Sequence, residues 1–427
     1  MLNYISGLPS AVFAETWPRK IALFGSTGSI GRAALDVLER SAGYFTLTAL
    51  AGGRNMRLLA EQALRLRPPC LAALDERAAG ELRILLRAVP DYHPEILSGP
   101  GGYAAMAAQV EADVVLSAQA GAAGLRATYA AVKAGRVVAL ANKESLVLAG
   151  DILRRECRLG GASILPVDSE HNAVFQCLSG QQTRSLPERL QALPPRDAKG
   201  NAPNSSLRRL ILTASGGPFL HRDPASLARI TPQEALAHPT WNMGAKISID
   251  SATMMNKGME YVEACRLFGL RPDQVEVLIH PQSVIHSLVE FKDASRLAQL
   301  GTPDMRIPIS HCLGWPYRLD SGAAELNLAA VPALSFFEPD ASAFPALGYW
   351  RDALAGGRGL TVALNAANEV AVALFLSGKI AFTQITGLAA MTLEQWHESS
   401  APNDIETVLA LDEQARALAR EQAARLR

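Results

Sequence analysis

Asp168, Ser169, Glu170 and His171 follow directly on the apolar run 163–167, at the carboxyl end of an expected strand, where open α/β sheets bind their ligands. In an extended segment residues i and i+2 share a face, so Asp168 and Glu170 can converge on one point. Two carboxylates held together repel unless a cation joins them. All-oxygen ligation suits a hard divalent ion such as Mg²⁺ or Mn²⁺ rather than zinc. The competing reading is a pair of solvated acids at a loop entrance. A third ligand is needed, and Asp250 and Glu260 are the near candidates, between which sequence alone does not choose.

Three further segments concentrate groups that bind anions: residues 213–217 with Ser215, residues 248–253 with Ser251, and residues 256–260 with Asn256 and Lys257. Hydroxyls, an amide and an ammonium make a cradle for a phosphate. Each segment alone is weak, since SGG is an ordinary turn and Lys257 could be an ordinary surface lysine; together they point to a phosphorylated substrate. Between them, residues 221–244 carry several prolines and the cluster His238, Pro239, Trp241 and Met243. A loop with a tryptophan and a methionine invites a lid that excludes water from a reactive intermediate, although Trp241 could equally anchor the loop in a core.

A second chemical site opens the chain. The run Phe24-Gly-Ser-Thr-Gly-Ser-Ile-Gly31 sits between an apolar strand and an amphipathic helix ending near Arg40. Its glycines let the backbone approach a pyrophosphate, while free amides at a helix N-terminus favour the charge. The second strand ends in Gly52, Gly53, Arg54 and Asn55, without the acid that grips the ribose of NAD. A guanidinium there can hold a 2′-phosphate, so NADP is preferred over NAD.

The elements that must carry these sites are an alternation of short apolar runs, at 21–24, 46–50, 70–74, 113–117, 136–141 and 163–167, with stretches of helical length. That is the pattern of a doubly wound parallel sheet. Residues 180–206 read as a loop or excursion. A second α/β segment has strands at 209–213 and 275–280, residues 301–345 thicken in proline and glycine, and 360–376 and 412–427 are helical by apolar spacing. The resulting division is a Rossmann-like domain over 20–167, a central α/β catalytic domain with a lid over 168–314, a connector over 315–340 and a small helical domain over 341–427.

At 427 residues several domains are expected. Forty-one basic residues balance forty-one acidic ones and no basic tract runs through aromatics, which argues against a nucleic-acid partner. No apolar run approaches the ~20 residues that cross a bilayer, and the opening residues lack a basic, then apolar, leader. The five cysteines are scattered without a CxxC pair and read as reduced core residues of a cytoplasmic protein.

Residues 25–31, 141–145 (ANKES), 166–172 (PVDSEHN), 215–219 (SGGPF), 238–244 (HPTWNMG) and 246–260 (KISIDSATMMNKGME), in that order, resemble the 1-deoxy-D-xylulose-5-phosphate reductoisomerase family. The resemblance runs from about Lys20 to the C-terminus. It implies that Thr27, Gly28, Ser29, Ile30, Gly53, Arg54, Asn55, Asn142, Glu144 and Gly244 contact NADPH. It also implies that Asp168, Glu170 and Glu260 bind the metal, so that Glu260 rather than Asp250 is the third ligand, with Mg²⁺, Mn²⁺ or Co²⁺ as the ion. Lys143, Ser169, Glu170, Ser215, His238, Ser251, Asn256, Lys257 and Glu260 would surround the substrate, and Trp241 and Met243 would belong to the flap. Lys143, Glu170 and His238 are the candidate catalytic groups. A homodimer and a C-terminal helical domain are further implications. Arg54 stands where the family commonly has lysine, which leaves the 2′-phosphate argument intact. The residues before Lys20 and the stretch 181–206 have no evident counterpart and receive no role.

Two other readings are weighed. A plain NADP-dependent semialdehyde dehydrogenase needs a nucleophilic cysteine, and none of the five sits at a convincing strand end near a histidine. A catalytically idle NADPH sensor would not need the polar groups gathered around Asp168 and Lys257.

Overall fold

The computed structural model describes residues 4–87, 89–179, 206–241, 243–398 and 401–426; the expected excursion at 180–206 therefore lies outside the described residues but for Ser206. Seven short strands, β1 Arg19–Phe24, β2 Phe45–Ala51, β3 Cys70–Ala73, β4 Glu95–Ser98, β5 Val114–Ser117, β6 Val137–Leu140 and β7 Ser163–Pro166, form one sheet in the order β4-β3-β2-β1-β5-β6-β7. Every neighbouring pair is parallel. β3 and β5 to β7 are apolar and almost wholly buried, as strands covered on both faces by helices must be. β4 was not anticipated: it is four residues long, starts on an exposed glutamate and follows a proline.

The strand order reverses between β1 and β5, which opens a crevice at their carboxyl ends. Gly25 makes the crevice possible. Its φ is +82°, and a Cβ there would lie 2.3 Å from the Ala118 carbonyl oxygen beyond β5. Gly31 lets the following helix, Ser29–Arg40, press onto the same turn, because a Cβ would stand 2.2 Å from the Gly25 oxygen.

The second sheet joins β8 Leu207–Ala214, β9 Val275–Ile279, β10 Ile285–Phe291 and β11 Arg296–Leu300 in the order β11-β10-β8-β9. β8 and β9 are parallel, and β10 runs antiparallel to both of its neighbours. The strands expected at 209–213 and 275–280 are present; the β10–β11 hairpin was not foreseen. Polar residues interrupt its apolar pattern, among them Glu290, which is buried and receives hydrogen bonds from Arg209 (3.0 Å) and Arg296 (2.8 Å).

Helices Lys143–Gly160 and Ser169–Ser179 leave the carboxyl ends of β6 and β7, and helices Ala245–Ala252 and Met255–Phe268 face them. The C-terminal region is helical, with Ala346–Gly356, Leu360–Leu376, Thr383–Glu394 and Ile405–Ala424. The last helix starts before the expected 412 because Asp404 caps it, accepting from the Thr407 amide at 2.7 Å. Among the described residues no helix is long and apolar enough to cross a membrane.

Candidate active site

Asp168 and Glu170 meet the sequence-distant Glu260 in a cleft of ≈ 580 Å³. Asp168 stands just past β7, Glu170 lies in the first turn of the Ser169–Ser179 helix and Glu260 in the Met255–Phe268 helix; one oxygen of each lies within 4.8 Å of the others. The pleat of an extended strand is not what brings the first two together. The Asn172 amide donates to the Asp168 carbonyl at 2.8 Å, so the helix has already begun and its N-terminus aims both acids into the cleft. Asp250, the other candidate ligand, lines the same cleft outside this cluster: Lys246 pairs with it at 2.9 Å and Asn368 donates to it at 2.7 Å.

Two buried ammonium groups serve the three acids. Lys143 Nζ lies 2.5 Å from Asp168 and 3.0 Å from Glu260, and donates to Asn256 Oδ1 at 2.8 Å. Lys257 Nζ lies 2.7 Å from Glu170 and also contacts Glu260. Burial alone would lower the pKa of Lys143, but Asp168, Glu260 and Glu263 outweigh it and hold the pKa well above the ordinary lysine value. Burial would raise Glu170, yet the Lys257 charge and the Ser169 hydroxyl, donating at 2.6 Å, keep it below the usual carboxylate range. Lys143 is thus a cationic donor and Glu170 an ionised acceptor.

The residues fit a hard cation. Burial, with Glu260 and Glu170 adding to it, pushes Asp168 up to about 7 despite Lys143, and its Oδ2 has no well-directed hydrogen bond. Such a carboxylate gains most from a divalent charge. Three carboxylate oxygens gathered within 4.8 Å of one another are the donor set that such a hard cation would take.

The anion-binding serines line the same cleft. The turn after β8 presents Ser215, and Gly217, with φ +69°, lets it abut the Ala245–Ala252 helix, where a Cβ would meet the Ser251 oxygen at 2.9 Å. His238 Nδ1 accepts from the Thr240 and Trp241 amides at 3.1 and 3.0 Å, so the proton sits on Nε2, 3.0 Å from Ser215 Oγ. Burial lowers the His238 pKa and keeps the ring neutral. Ser215 therefore accepts from His238 and has its own hydroxyl proton to offer into the cleft. Trp241, Met243 and Gly244 line the cleft mouth, with the Trp241 ring 6.1 Å from that of His286; Ser169, Ser251 and Asn256 line it too.

At the nucleotide end, Gly28, Ser29 and Ile30 line the same cleft, and Gly28 opens its helix with no side-chain cap, leaving first-turn amides available. Thr27 is in the same turn but does not line the cleft. Beyond β2, Gly53 is half-buried and Arg54 and Asn55 are exposed; Asn55 Oδ1 caps the next helix by accepting from the Leu58 amide at 3.1 Å. Asn142 is buried and fully engaged, donating to Gln119 and Gly121 carbonyls at 2.7 and 3.0 Å, so its side chain shapes the crevice floor. Glu144 lines the cleft and pairs with Lys246 at 2.9 Å.

The chain is similar to known proteins over nearly its whole length. Family models for 1-deoxy-D-xylulose 5-phosphate reductoisomerase, for its C-terminal domain, and for the DXP reductoisomerase C-terminal domain match residues 21–150, 164–268 and 300–418. The 1-deoxy-D-xylulose 5-phosphate reductoisomerase of Nitratidesulfovibrio vulgaris is 53% identical over 97% of this chain and 96% of its own length. That of Saccharophagus degradans is 45% identical over 94% and 97%. The chain belongs to the 1-deoxy-D-xylulose 5-phosphate reductoisomerase family. A crystal structure of DOX-P reductoisomerase in complex with NADPH, fosmidomycin and magnesium superposes with a TM-score of 0.87 at 40% identity, covering 95% of this chain and 98% of that one. The Zymomonas mobilis enzyme in complex with NADPH gives 0.82 at 40% identity, with 96% and 99% covered.

Three residues of the candidate site received no role from the sequence. Lys246, between Glu144 and Asp250, joins the cofactor wall to the C-terminal helices through Asn368. His286 reaches the cleft from β10, the unforeseen strand. His171, fully buried, hydrogen-bonds the Glu260 carbonyl at 2.9 Å through Nε2, while its Nδ1 faces Glu263 at 3.5 Å. Lys246 and His171 lay inside motifs already marked, but nothing in their spacing separates a cleft residue from a core one. The semialdehyde dehydrogenase alternative loses ground in this family: burial pushes Cys70 and Cys177 up to about 11 and Cys157 and Cys265 up to about 12, the reverse of an activated thiol.

Proposed function

We propose that this chain converts 1-deoxy-D-xylulose 5-phosphate and NADPH to 2-C-methyl-D-erythritol 4-phosphate, a step of non-mevalonate isoprenoid precursor synthesis. The observation that carries the reading is that one cleft holds the Asp168, Glu170, Glu260 cluster, the anion-binding serines and the open amides at Gly28 together. When bound, a divalent ion such as Mg²⁺ or Mn²⁺ supplies charge for polarising the ketone and stabilising developing oxyanions, and NADPH supplies the hydride. Asp168, Glu170 and Glu260 would hold the ion.

The chain's own residues do the rest. Lys143, kept cationic, orients substrate oxygens beside the acids, and Glu170, kept ionised, accepts a proton from a substrate hydroxyl. Ser215, Ser251, Asn256 and Lys257 bind the phosphate, with His238 fixing the Ser215 hydroxyl. Thr27, Gly28, Ser29 and Ile30 take the pyrophosphate, Arg54 takes the 2′-phosphate between Gly53 and Asn55, and Asn142, Glu144 and Gly244 border the nicotinamide end. Trp241 and Met243 form the lid that keeps water from the rearranging carbon skeleton. The working division is 20–167 for NADPH, 168–314 for catalysis, 315–340 as connector and 341–427 as helical domain.

We further read the chain as a cytoplasmic homodimer. Five free cysteines suit a reducing compartment. β11 is a sheet edge with exposed Leu297 and Leu300, and such an edge invites pairing with a second copy. The test of the activity follows NADPH absorbance with 1-deoxy-D-xylulose 5-phosphate. Oxidation that EDTA stops and Mg²⁺ or Mn²⁺ restores is expected; no turnover with either ion present rejects the reading.

A further inference from the structure

The residues before Lys20 lie outside the family models, the first of which begins at residue 21, yet they touch every element that carries the acid cluster. Tyr4 donates to the Ile164 carbonyl at 2.8 Å and Ser6 Oγ accepts from the Ile164 amide at 3.0 Å, so the strap satisfies the outer edge of β7, the strand that delivers Asp168. The Tyr4 ring lies 5.7 Å from Phe175, on the helix of Glu170, and 5.7 Å from Phe268, on the helix of Glu260. The amide of Ile5, a fully buried residue, donates to the Leu267 carbonyl at 2.7 Å and so closes the C-terminal end of the Glu260 helix. Arg154, on the helix that begins with Lys143, donates to the Tyr4 carbonyl at 3.1 Å. The other end is pinned as firmly: the buried Arg19 guanidinium lies 4.1 Å from the Phe13 ring centre and 3.9 Å from that of Trp17, and donates to the Leu313 carbonyl at 2.6 Å.

We propose that residues 4–19 are a positioning strap that fixes the mutual placement of Asp168, Glu170 and Glu260, and thereby the affinity of their divalent cation. The proposal rests on the metal-binding reading of that cluster. Glu260 and Phe268 are eight residues apart in one helix, about 12 Å, so Tyr4 does not touch the cleft and acts only through the elements it joins. The acids come on two rigid units, Asp168 and Glu170 at the start of the Ser169–Ser179 helix and Glu260 on the Met255–Phe268 helix, and the Tyr4 ring packs against both helices while its hydroxyl holds the strand before the first. A contact common to both helices sets how far Glu260 stands from the other two acids, and so whether the oxygens stay within chelating distance.

The experiment titrates metal-free protein with Mn²⁺ by electron paramagnetic resonance and, separately, with NADPH by fluorescence, alongside thermal melting. Tyr4→Ala/Ile5→Ala is expected to weaken Mn²⁺ binding about tenfold, as loss of a supporting shell does, and to leave NADPH affinity within about twofold. Val12→Ala, in the same strap but 76% exposed, should change neither. A lowered melting temperature with unaltered Mn²⁺ affinity overturns the proposal, because a purely structural strap gives that pattern. Should the double variant fail to fold, Tyr4→Phe/Ser6→Ala keeps the packing and removes only the two side-chain bonds to Ile164; it should weaken Mn²⁺ binding by a smaller factor, and no change overturns the proposal. Asp168→Asn in the otherwise unaltered chain should abolish Mn²⁺ binding; if it does not, the cation reading itself fails, and that failure is visible before any strap variant is made.

Discussion

Glu260 is the residue on which the cluster converges: both lysines contact it, and the amide of Asn256 donates to it. Glu260→Gln removes a ligand charge while leaving the nucleotide end of the cleft untouched. Activity should fall to background and Mn²⁺ binding should vanish, with NADPH affinity unchanged in the same fluorescence titration. Lys257 has a more complex part than the sequence suggested. Its type and its neighbour Asn256 were legible as an anion cradle, but the structure pairs its ammonium with Glu170 and Glu260, which only the fold could bring within reach. Without Lys257, only the Ser169 hydroxyl and the more distant Lys143 charge oppose burial, and the Glu170 pKa rises. Lys257→Ala should therefore raise KM about tenfold or more, the effect of losing a charged hydrogen bond, and also shift the acid limb of the kcat/KM profile to higher pH. A KM change with an unmoved acid limb would mean that Lys257 serves the phosphate alone. Beyond β2, Arg54→Asp should weaken NADPH binding far more than NADH binding, and equal losses would remove Arg54 from the 2′-phosphate.

Elements were legible where one physical cause dominated. The parallel sheet announced itself because strands buried on both faces read as continuous apolar runs, and the glycine turn after β1 because only glycine fits there. β4, β10 and β11 were missed for a shared reason: edges and half-polar strands lack that run. The convergence of Asp168 and Glu170 was anticipated, but on strand periodicity, whereas a helix N-terminus produces it. Helix against helix was not legible at all. Gly258, on the helix of Lys257 and Glu260, packs so tightly on the buried Trp350 of Ala346–Gly356 that a Cβ would lie 1.9 Å from the indole Cδ1. In sequence it was only a glycine inside a motif. Gly258→Ala must push the catalytic helix away from its neighbour, since backbone and indole have little room to yield. The expected loss is about 1–3 kcal/mol of stability, the usual penalty of overpacking, measured by urea denaturation, together with weaker Mn²⁺ binding. Full stability in Gly258→Ala would show that the indole can swing aside.

At the scale of the whole molecule, buried titrating groups tie stability to pH in opposite directions. Burial pushes His311 and His171 down to about 4, well below the ordinary imidazole value, while burial pushes Asp168 up to about 7. A histidine of depressed pKa binds its proton more readily when unfolded, so between about pH 4 and the unfolded value near 6.5 the unfolded state holds more protons and stability rises with pH. An acid of raised pKa does the reverse, losing stability as pH climbs from the unfolded value near 4 through 7. The total curve therefore hides each part, and a single-site difference is needed to separate them. His311 is suited to this, because it lies outside the acid cluster and its Nδ1 is placed 3.1 Å from the Asn172 amide nitrogen, which favours the neutral ring. His311→Gln can keep an acceptor for that amide but cannot titrate. The stability difference between the two proteins, read from urea denaturation at a series of pH values, should be flat above pH 7. Below it the variant should gain on the parent by on the order of 2 kcal/mol as pH falls towards 4. The contributions of Asp168 and His171 are common to both proteins and cancel in the subtraction. A difference independent of pH over that interval would mean that the His311 ring is hydrated or already protonated in the folded chain, and that the packing of Phe175 against it, at 5.9 Å, does not exclude water.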